Sequence, residues 1–444
     1  MKNLKRVLLV LVLAIIAAVA YNYPKLNMIS GYAAKNMASN VFLANRLATN
    51  INEVDNNIPL IKLADSKVDT ALKSASSSVF GLLERKAIYR DGLGAVLITK
   101  DYDASKFILK PNRNQPKTGL PFPYGDMEQE DTIFANVDYT ALDKALDIAF
   151  SPPETKKTRT ALVIYKDKII AEKYAGGITK DTKVLGWSMT KSIIATLYGI
   201  LQYEGKLNIE DAAPIPAWQQ DNRKNITLNH LLRMQSGLEW EENYTKISDV
   251  TKMLFLDADM TLAQQEKKAV AKPTEIWNYS SGTSNLLSGI LKTKFNTHQE
   301  YLDFPYTSLI DKIGMHSMII EADMEGNYVG SSYAWATTRD WAKFGLLYLH
   351  KGSWNGTQIF EPEWVDYSTK PTPHSNGTYG AHFWLNAEGK FPDVPRDMYS
   401  ANGFQGQRVF IIPSKDLVVV RTGLAEAPYF NTNAFLAGII AAIE

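Results

Sequence analysis

Cysteine is absent from all 444 residues. That excludes a thiolate nucleophile, a disulfide framework and every thiolate metal site. Histidine is scarce. The six present, His230, His298, His316, His350, His374 and His382, show no paired ligand spacing, so no metal is expected. No charge of one sign prevails either: 48 basic residues against 47 acidic leave a formal net charge of +1, which offers no basic field to a nucleic-acid partner. Internal repeats and low-complexity tracts are also lacking. What remains is an ordinary globular composition, 45% apolar and 11% aromatic, in a chain longer than one simple core usually holds. A two-lobed unit or two domains are expected.

The one long apolar run lies at the start. Met1–Arg6 is basic, and Val7 to Ala20 is unbroken apolar sequence. This pattern predicts a secretory signal or an uncleaved signal anchor over residues 1–29, the run being short of the roughly twenty residues that span a bilayer. Ala18-Val19-Ala20 would serve as a small-residue cleavage site. Tyr21-Asn-Tyr-Pro24 resembles an interfacial aromatic belt and favours retention. Export follows in either case, to the periplasm or to an anchored position facing outward, with the membrane as a partner if the segment stays.

Residues 30–150 read as an N-terminal extension. Ser30–Arg46 has helical composition, Gly94–Thr99 is a short strand, and Lys110–Asp131 carries four prolines and two glycines as an extended loop. Leu142–Phe150 is a helix candidate. Thr160–Tyr165 and Lys168–Tyr174, around Lys166-Asp167, give a hairpin signal. Residues 206–320 show helical patterns and no strand of any length. Arg408–Pro413 and Leu417–Thr422 form a second hairpin, and Asn431–Ile443 a terminal helix. Strands on both sides of a helical insertion predict one antiparallel sheet built from both ends of the chain, with residues 151–205 and 321–444 as an α/β lobe and 206–320 as an all-helical lobe.

Chemistry concentrates in Val184–Tyr203. Ile193, Ile194, Leu197, Ile200 and Leu201 recur at helical spacing. Ser188 stands where that helix begins, and Lys191 lies one turn on, near enough for the side chains to meet. Ser-x-x-Lys is a nucleophile motif, although a plain N-cap serine followed by a solvated lysine has the same spelling. Such a pair needs a proton partner and oxyanion donors. Tyr279, in Trp277-Asn-Tyr-Ser-Ser281, offers a phenol just before a helical pattern; beside an ammonium its pKa is expected to fall toward phenolate. Tyr399-Ser-Ala-Asn-Gly-Phe-Gln-Gly-Gln407 places Gly403 and Gly406 before an apolar strand, where backbone can approach a ligand closely. Gly186-Trp-Ser-Met-Thr190 is half of a Gly-x-Ser-x-Gly elbow, without the second glycine or the βα order that motif needs.

Taken in order, Ser-x-x-Lys, Tyr-Ser-Ser and a glycine-bearing strand resemble the β-lactamase-related serine hydrolase family. Its members include class C β-lactamases, D-alanyl-D-alanine carboxypeptidases, family VIII esterases and 6-aminohexanoate-oligomer hydrolases. Trp187–Lys191, Leu231–Leu238, Trp277–Ser281 and Ala334–Trp341 look like blocks of that family. The resemblance implies a β-lactamase/transpeptidase-like α+β fold, an antiparallel sheet flanked by helices plus a helical lobe. It further implies Ser188 as nucleophile, Lys191 as its proton acceptor or electrostatic activator, and Tyr279 as proton shuttle to the leaving group. The backbone N–H groups of Ser188 and Phe404 would form the oxyanion hole, and Trp187, Ser281, Gly403 and Gln405 would line the substrate. No cofactor is implied.

Two departures bear on substrate. Ala401-Asn402-Gly403 stands where lactamases and carboxypeptidases have Lys-Thr-Gly or His-Thr-Gly, so no cation occupies that position. Ser281 stands where class C lactamases have asparagine. Both favour the esterase and 6-aminohexanoate-hydrolase branches, hence a small linear ester or amide. The alternatives are a penicillin-recognising enzyme of the same fold, or a non-catalytic cell-envelope binding protein that kept it.

Overall fold

A computed structural model describes residues 2–100, 102, 103, 105 and 109–443, and only the backbone at positions 2, 3, 15, 16, 18 and 19. The side chains of Ala18 and Val19, from the expected cleavage stretch, therefore lie outside the described residues. The chain divides into two units: Met1–Asp103 with Asn243–Ala258, and Ala104–Glu242 with Asp259–Glu444.

In the first unit one helix runs from Lys2 to Phe42, so no break separates residues 2–29 from those that follow. It continues through Pro24, which lacks an N–H and forfeits one helical hydrogen bond. Its second half is covered by an antiparallel meander of Ala64–Asp69, Ser74–Val79, Leu82–Arg90 and Gly94–Ile98, which buries Ala33, Ala34, Met37 and Ala38. The Asp249–Leu256 helix joins this unit, with Phe255 and Tyr32 ring centroids 5.5 Å apart. The first turns are different: Leu4 and Val7 through Leu13 are exposed. Among the described residues no helix is long and apolar enough to cross a membrane.

The second unit is built on a six-stranded antiparallel sheet. Its strands follow the order Trp384–Leu385, Tyr399–Gly403, Gln407–Ile412, Leu417–Gly423, Thr158–Tyr165 and Lys168–Tyr174. The central pairing, Leu417 opposite Tyr165 through Thr422 opposite Thr160, joins the two ends of the unit as the sequence leads one to expect. Alternation decides what each face meets. Ala161, Val163, Phe410, Ile412 and Val419 pack with Leu142, Leu146, Phe435, Leu436 and Ile439 of the Tyr139–Phe150 and Thr432–Ala441 helices. The Tyr139–Phe150 helix thus belongs to this core rather than to an extension, because its apolar stripe has the sheet to cover. On the other face the Thr338–Leu349 helix lies so close that a Cβ on Gly345 would come within 2.7 Å of Val418.

The helical part holds Leu228–Leu232, Ser281–Lys292 and His298–Pro305. Within it Asp249–Leu256, expected here, groups with the first unit instead. Thr227 caps the first of these helices by accepting from His230 N, and Gly237 takes a left-handed φ of 74° after it. The Met189–Tyr203 helix is buried along nearly its whole length and is tied to Ser281–Lys292 by a bond from Tyr198 Oη to Leu287 O.

Candidate active site

The turn before the Met189–Tyr203 helix is locked from several sides. Val184–Leu185 pairs with Ala334–Ala336, and Gly186 N donates to Ala334 O at 2.8 Å. A side chain at 186 would strike the Trp341 ring at 2.3 Å. Trp187 then adopts φ 47°, a left-handed conformation costly for a bulky residue and sustained only where surroundings over-determine it. Thr190 Oγ1 supplies part of that support by donating to Trp187 O, while Ala334 N donates to the same hydroxyl.

Ser188 follows at the helix N-cap, yet its side chain makes no capping bond. The plain N-cap reading therefore fails: the hydroxyl is directed elsewhere. Lys191 Nζ lies 2.9 Å from Ser188 Oγ. Two more acceptors complete its surroundings, Ser281 Oγ at 2.9 Å and the Ser331 carbonyl at 2.8 Å. With only 1% of its surface exposed, Lys191 is pushed down to about 8 by burial, a shift that the Glu242 carboxylate opposes. A lysine in that range can surrender and regain a proton near neutrality.

Tyr279 precedes the Ser281–Lys292 helix and holds Ser188 as a hydrogen-bond partner. Its ring lies 5.0 Å from Lys191 Nζ. The expected fall toward phenolate does not occur. Burial and the nearby Glu242 carboxylate push the phenol well above its ordinary value, outweighing the Ser188 bond and the Arg408 charge. Tyr279 is thus held neutral, and of the two groups beside Ser188 it is Lys191 whose proton is exchangeable near neutrality. Ser280, between Tyr279 and Ser281, caps the helix by accepting from Thr283 N and donates to Gln264 Oε1.

The third element is the end of the Tyr399–Gly403 strand. A Cβ on Gly403 would come within 2.0 Å of the Gly186 carbonyl, so glycine is required for this strand to reach the turn that carries Ser188. Phe404 follows, its ring 5.6 Å from that of Trp187. Gln405 takes φ 60° and is buried, shaping the turn. Ala401 faces no solvent. The missing third-motif cation is not replaced there, but Arg408, opposite Asn402 on the next strand, lies within electrostatic reach of Tyr279.

Several participants are invisible to motif reasoning. Glu242 accepts from Ser281 Oγ through Oε1, and from Ser281 N at 2.9 Å and Trp240 Nε1 at 2.5 Å through Oε2. The Ser331 carbonyl shares its peptide unit with Ser332 N–H, which donates to Val329 O at 3.1 Å, and Ser331 N donates to Asn285 Oδ1. Trp277, Tyr379 and Trp384 gather around Tyr279 with ring centroids 5.4–6.5 Å from it. Behind Lys191, His382 donates from Nδ1 to Leu232 O, so its Nε2 accepts from Ser284 Oγ. Burial pushes that imidazole down to about 3, so it carries no charge. A cavity of about 370 Å³ lined by Asn114, Tyr124, Asp126, Asp311 and Lys343 includes none of the site residues. Among the described residues no group of three histidine or carboxylate side chains could hold a metal.

Comparison with known proteins converges on this region. The β-lactamase family profile matches residues 157–435. The 6-aminohexanoate-dimer hydrolase of Paenarthrobacter ureafaciens is 21% identical over 291 residues, 60% of this chain and 72% of that one. A solved Bacillus anthracis protein, provisionally identified as a 6-aminohexanoate-dimer hydrolase, superposes with a TM-score of 0.56 at 20% identity, over 68% of this chain and 80% of that chain. A penicillin-binding-protein homologue from Caulobacter crescentus gives 0.53 at 14% identity, over 68% and 97% of the two chains. EstCE1, a hydrolase with promiscuous acyltransferase activity, gives 0.54 at 12% identity, over 69% and 99%. At these identities the structural likeness is one of fold.

Proposed function

The chain belongs to the β-lactamase family of serine hydrolases, and from that premise we propose that it cleaves a small linear ester or amide through an acyl-Ser188 intermediate. The observation that carries this reading is the 2.9 Å approach of Lys191 Nζ to a Ser188 hydroxyl not used for capping. Neutral Lys191 takes the Ser188 proton as Oγ attacks the carbonyl carbon. The oxyanion collects the backbone N–H groups of Ser188 and Phe404. Collapse breaks the acyl–leaving-group bond, and the departing nitrogen or oxygen takes the Tyr279 proton, which Lys191 replaces. Water then repeats the sequence on the acyl-serine, releasing the acid.

A linear substrate is favoured by Ala401, which offers no third-motif cation, and by similarity to a hydrolase of the 6-aminohexanoate dimer. The aromatic rings around Tyr279 suit an apolar acyl chain or leaving group. We further propose export with attachment at a membrane, a reading supported by the basic start and by the exposed apolar run Val7–Leu13.

A fluorophosphonate probe tests the nucleophile: mass spectrometry should place the adduct on Ser188, and labelling that survives Ser188→Ala would sink the proposal. Hydrolysis of p-nitrophenyl esters and short linear amides without nitrocefin turnover is the expected profile. Rapid nitrocefin turnover would favour the penicillin-recognising alternative. Absence of any acyl transfer would favour the binding protein.

A further inference from the structure

We propose that Glu242 is a positioning residue that aims the lone pair of Lys191 at Ser188, acting through the Ser281 hydroxyl. This inference rests on the proposed role of Ser188 as nucleophile and adds a residue that no motif marks.

The argument is one of hydrogen-bond direction. A serine hydroxyl has one proton and two lone pairs, and can face a lysine as donor or acceptor. Ser281 has no such choice. Its proton is committed to Glu242 Oε1, which can only accept, so its oxygen meets Lys191 Nζ as an acceptor. The Ser331 carbonyl is likewise acceptor-only. When Lys191 loses a proton, its two remaining N–H bonds stay on these obligate acceptors. The vacated tetrahedral direction is the third one, toward Ser188 Oγ at 2.9 Å. The lone pair therefore appears where the base must receive the nucleophile's proton, with no reorganisation at the moment of reaction.

The carboxylate is itself held. Oε2 takes both Trp240 Nε1 and the backbone N–H of Ser281, the first residue of the Ser281–Lys292 helix. These contacts commit Glu242 to protein donors, which argues against a direct contact with substrate. Lys191 and Ser281 are both essentially without exposed surface, so water does not compete for their geometry. The titratable groups facing Lys191 are Glu242, the neutral phenol of Tyr279 and the neutral imidazole of His382. Glu242 is the only one of the three whose charge acts to keep Lys191 protonated.

Glu242→Gln separates this role from a merely structural one. The amide oxygen must take the Oε2 place, where two N–H donors converge, which turns the amide NH2 toward Ser281 Oγ. Ser281 then accepts from that NH2 and swings its proton toward Lys191, drawing the lysine lone pair away from Ser188. The readout is the rate of Ser188 modification by a fluorophosphonate as a function of pH, which needs no knowledge of the natural substrate. Expected are a loss of about 10–100-fold in plateau rate and an ascending limb displaced to lower pH, because a neighbouring anion has gone. In a Ser281→Ala background the same Glu242→Gln change should cost no further plateau rate, since the hydrogen-bond relay to Lys191 is absent, while the through-space charge effect on the limb persists. An equal cost in both backgrounds, or an unmoved limb, overturns the proposal. Should Glu242→Gln not fold, Ser281→Ala alone decides: a wild-type rate and limb would overturn it. Failure of wild-type protein to label at Ser188 would instead remove the nucleophile reading itself, so the two failures are distinct.

Discussion

Arg408 Nη1 donates to the Gly403 carbonyl at 2.6 Å, and that carbonyl shares a peptide unit with the N–H of Phe404. In a trans peptide the two point in opposite directions. Fixing the oxygen toward Arg408 therefore fixes the Phe404 N–H away from it. Nη1 also reaches the Gln407 carbonyl, and Nη2 pairs with Glu426 at 3.1 Å, so the guanidinium is braced rather than mobile. With the Phe404 N–H as the proposed oxyanion donor, Arg408→Met should lower kcat about 10–100-fold with KM within a few-fold of wild type, because its misalignment costs the transition state more than the ground state. Steady-state kinetics on a p-nitrophenyl ester checks this, and Arg408→Lys should recover only part of the loss, lacking the planar fork.

On the proposed mechanism Lys191 must be neutral to take the Ser188 proton, so kcat/KM should rise with pH through its value of about 8 and then level. At pH 6 the active fraction is about 1%, from the two-unit distance to that value. Tyr279 stays protonated throughout, its phenol being pushed upward by burial and Glu242, so no descending limb from that group should appear below pH 10. A bell centred near neutrality in a pH–rate series would contradict both assignments.

The same lysine leaves a mark on stability. Its folded pKa lies below the ordinary 10.5, so between about pH 8 and 10.5 the unfolded chain binds more protons than the folded one, and stability on this account rises with pH. Compared with Lys191→Met, wild-type protein should gain up to about 3 kcal/mol across that window, at about 1.36 kcal/mol for each pH unit between the folded and unfolded values. Urea unfolding of both proteins at pH 7.5 and at pH 10 measures the difference. An unchanged gap would place Lys191 in a better-solvated setting than its burial allows.

Gly403 admits no side chain. Its Cβ would sit 2.0 Å from the Gly186 carbonyl, a backbone atom in a turn that is itself wedged against Trp341. Gly403→Ala should push the strand end away from Ser188, cutting activity at least about 100-fold and destabilising by about 1–3 kcal/mol as an overpacked site does. Activity assays paired with thermal unfolding separate the two effects. A variant as active as wild type would show that the two loops move independently.

Much of this site was legible because it depends on local spelling. Ser188 and Lys191 sit one helical turn apart, and the apolar runs of Leu417–Thr422 and Thr160–Tyr165 read as hairpin strands. Glu242 was not legible: nothing in Glu239-Trp-Glu-Glu242 distinguishes one acidic residue from the next, and its partners Ser281 and Trp240 are chosen by folding. The Tyr279 shift had the wrong sign for the same reason, since the ammonium was visible in sequence while the carboxylate and the burial were not. Ser74–Val79 and Ala64–Asp69 escaped as strands because serine and charge fill positions where β-branched residues usually announce one. The Ser331 carbonyl, being backbone, has no sequence signature at all.

Ser280 gives the second motif a meaning that its spelling hides. Tyr279 meets Ser188 and Ser281 meets Lys191, whereas the serine between them donates to Gln264 and accepts from Thr283 N. It sets the angle at which the helix leaves the loop, and thereby the spacing between its two neighbours. A descendant chain could keep both outer residues and lose only the middle one. It would still match the motif letter for letter at the positions that count as chemistry, yet hold the phenol and the hydroxyl at the wrong separation. In this chain the central letter is the grammar of the motif.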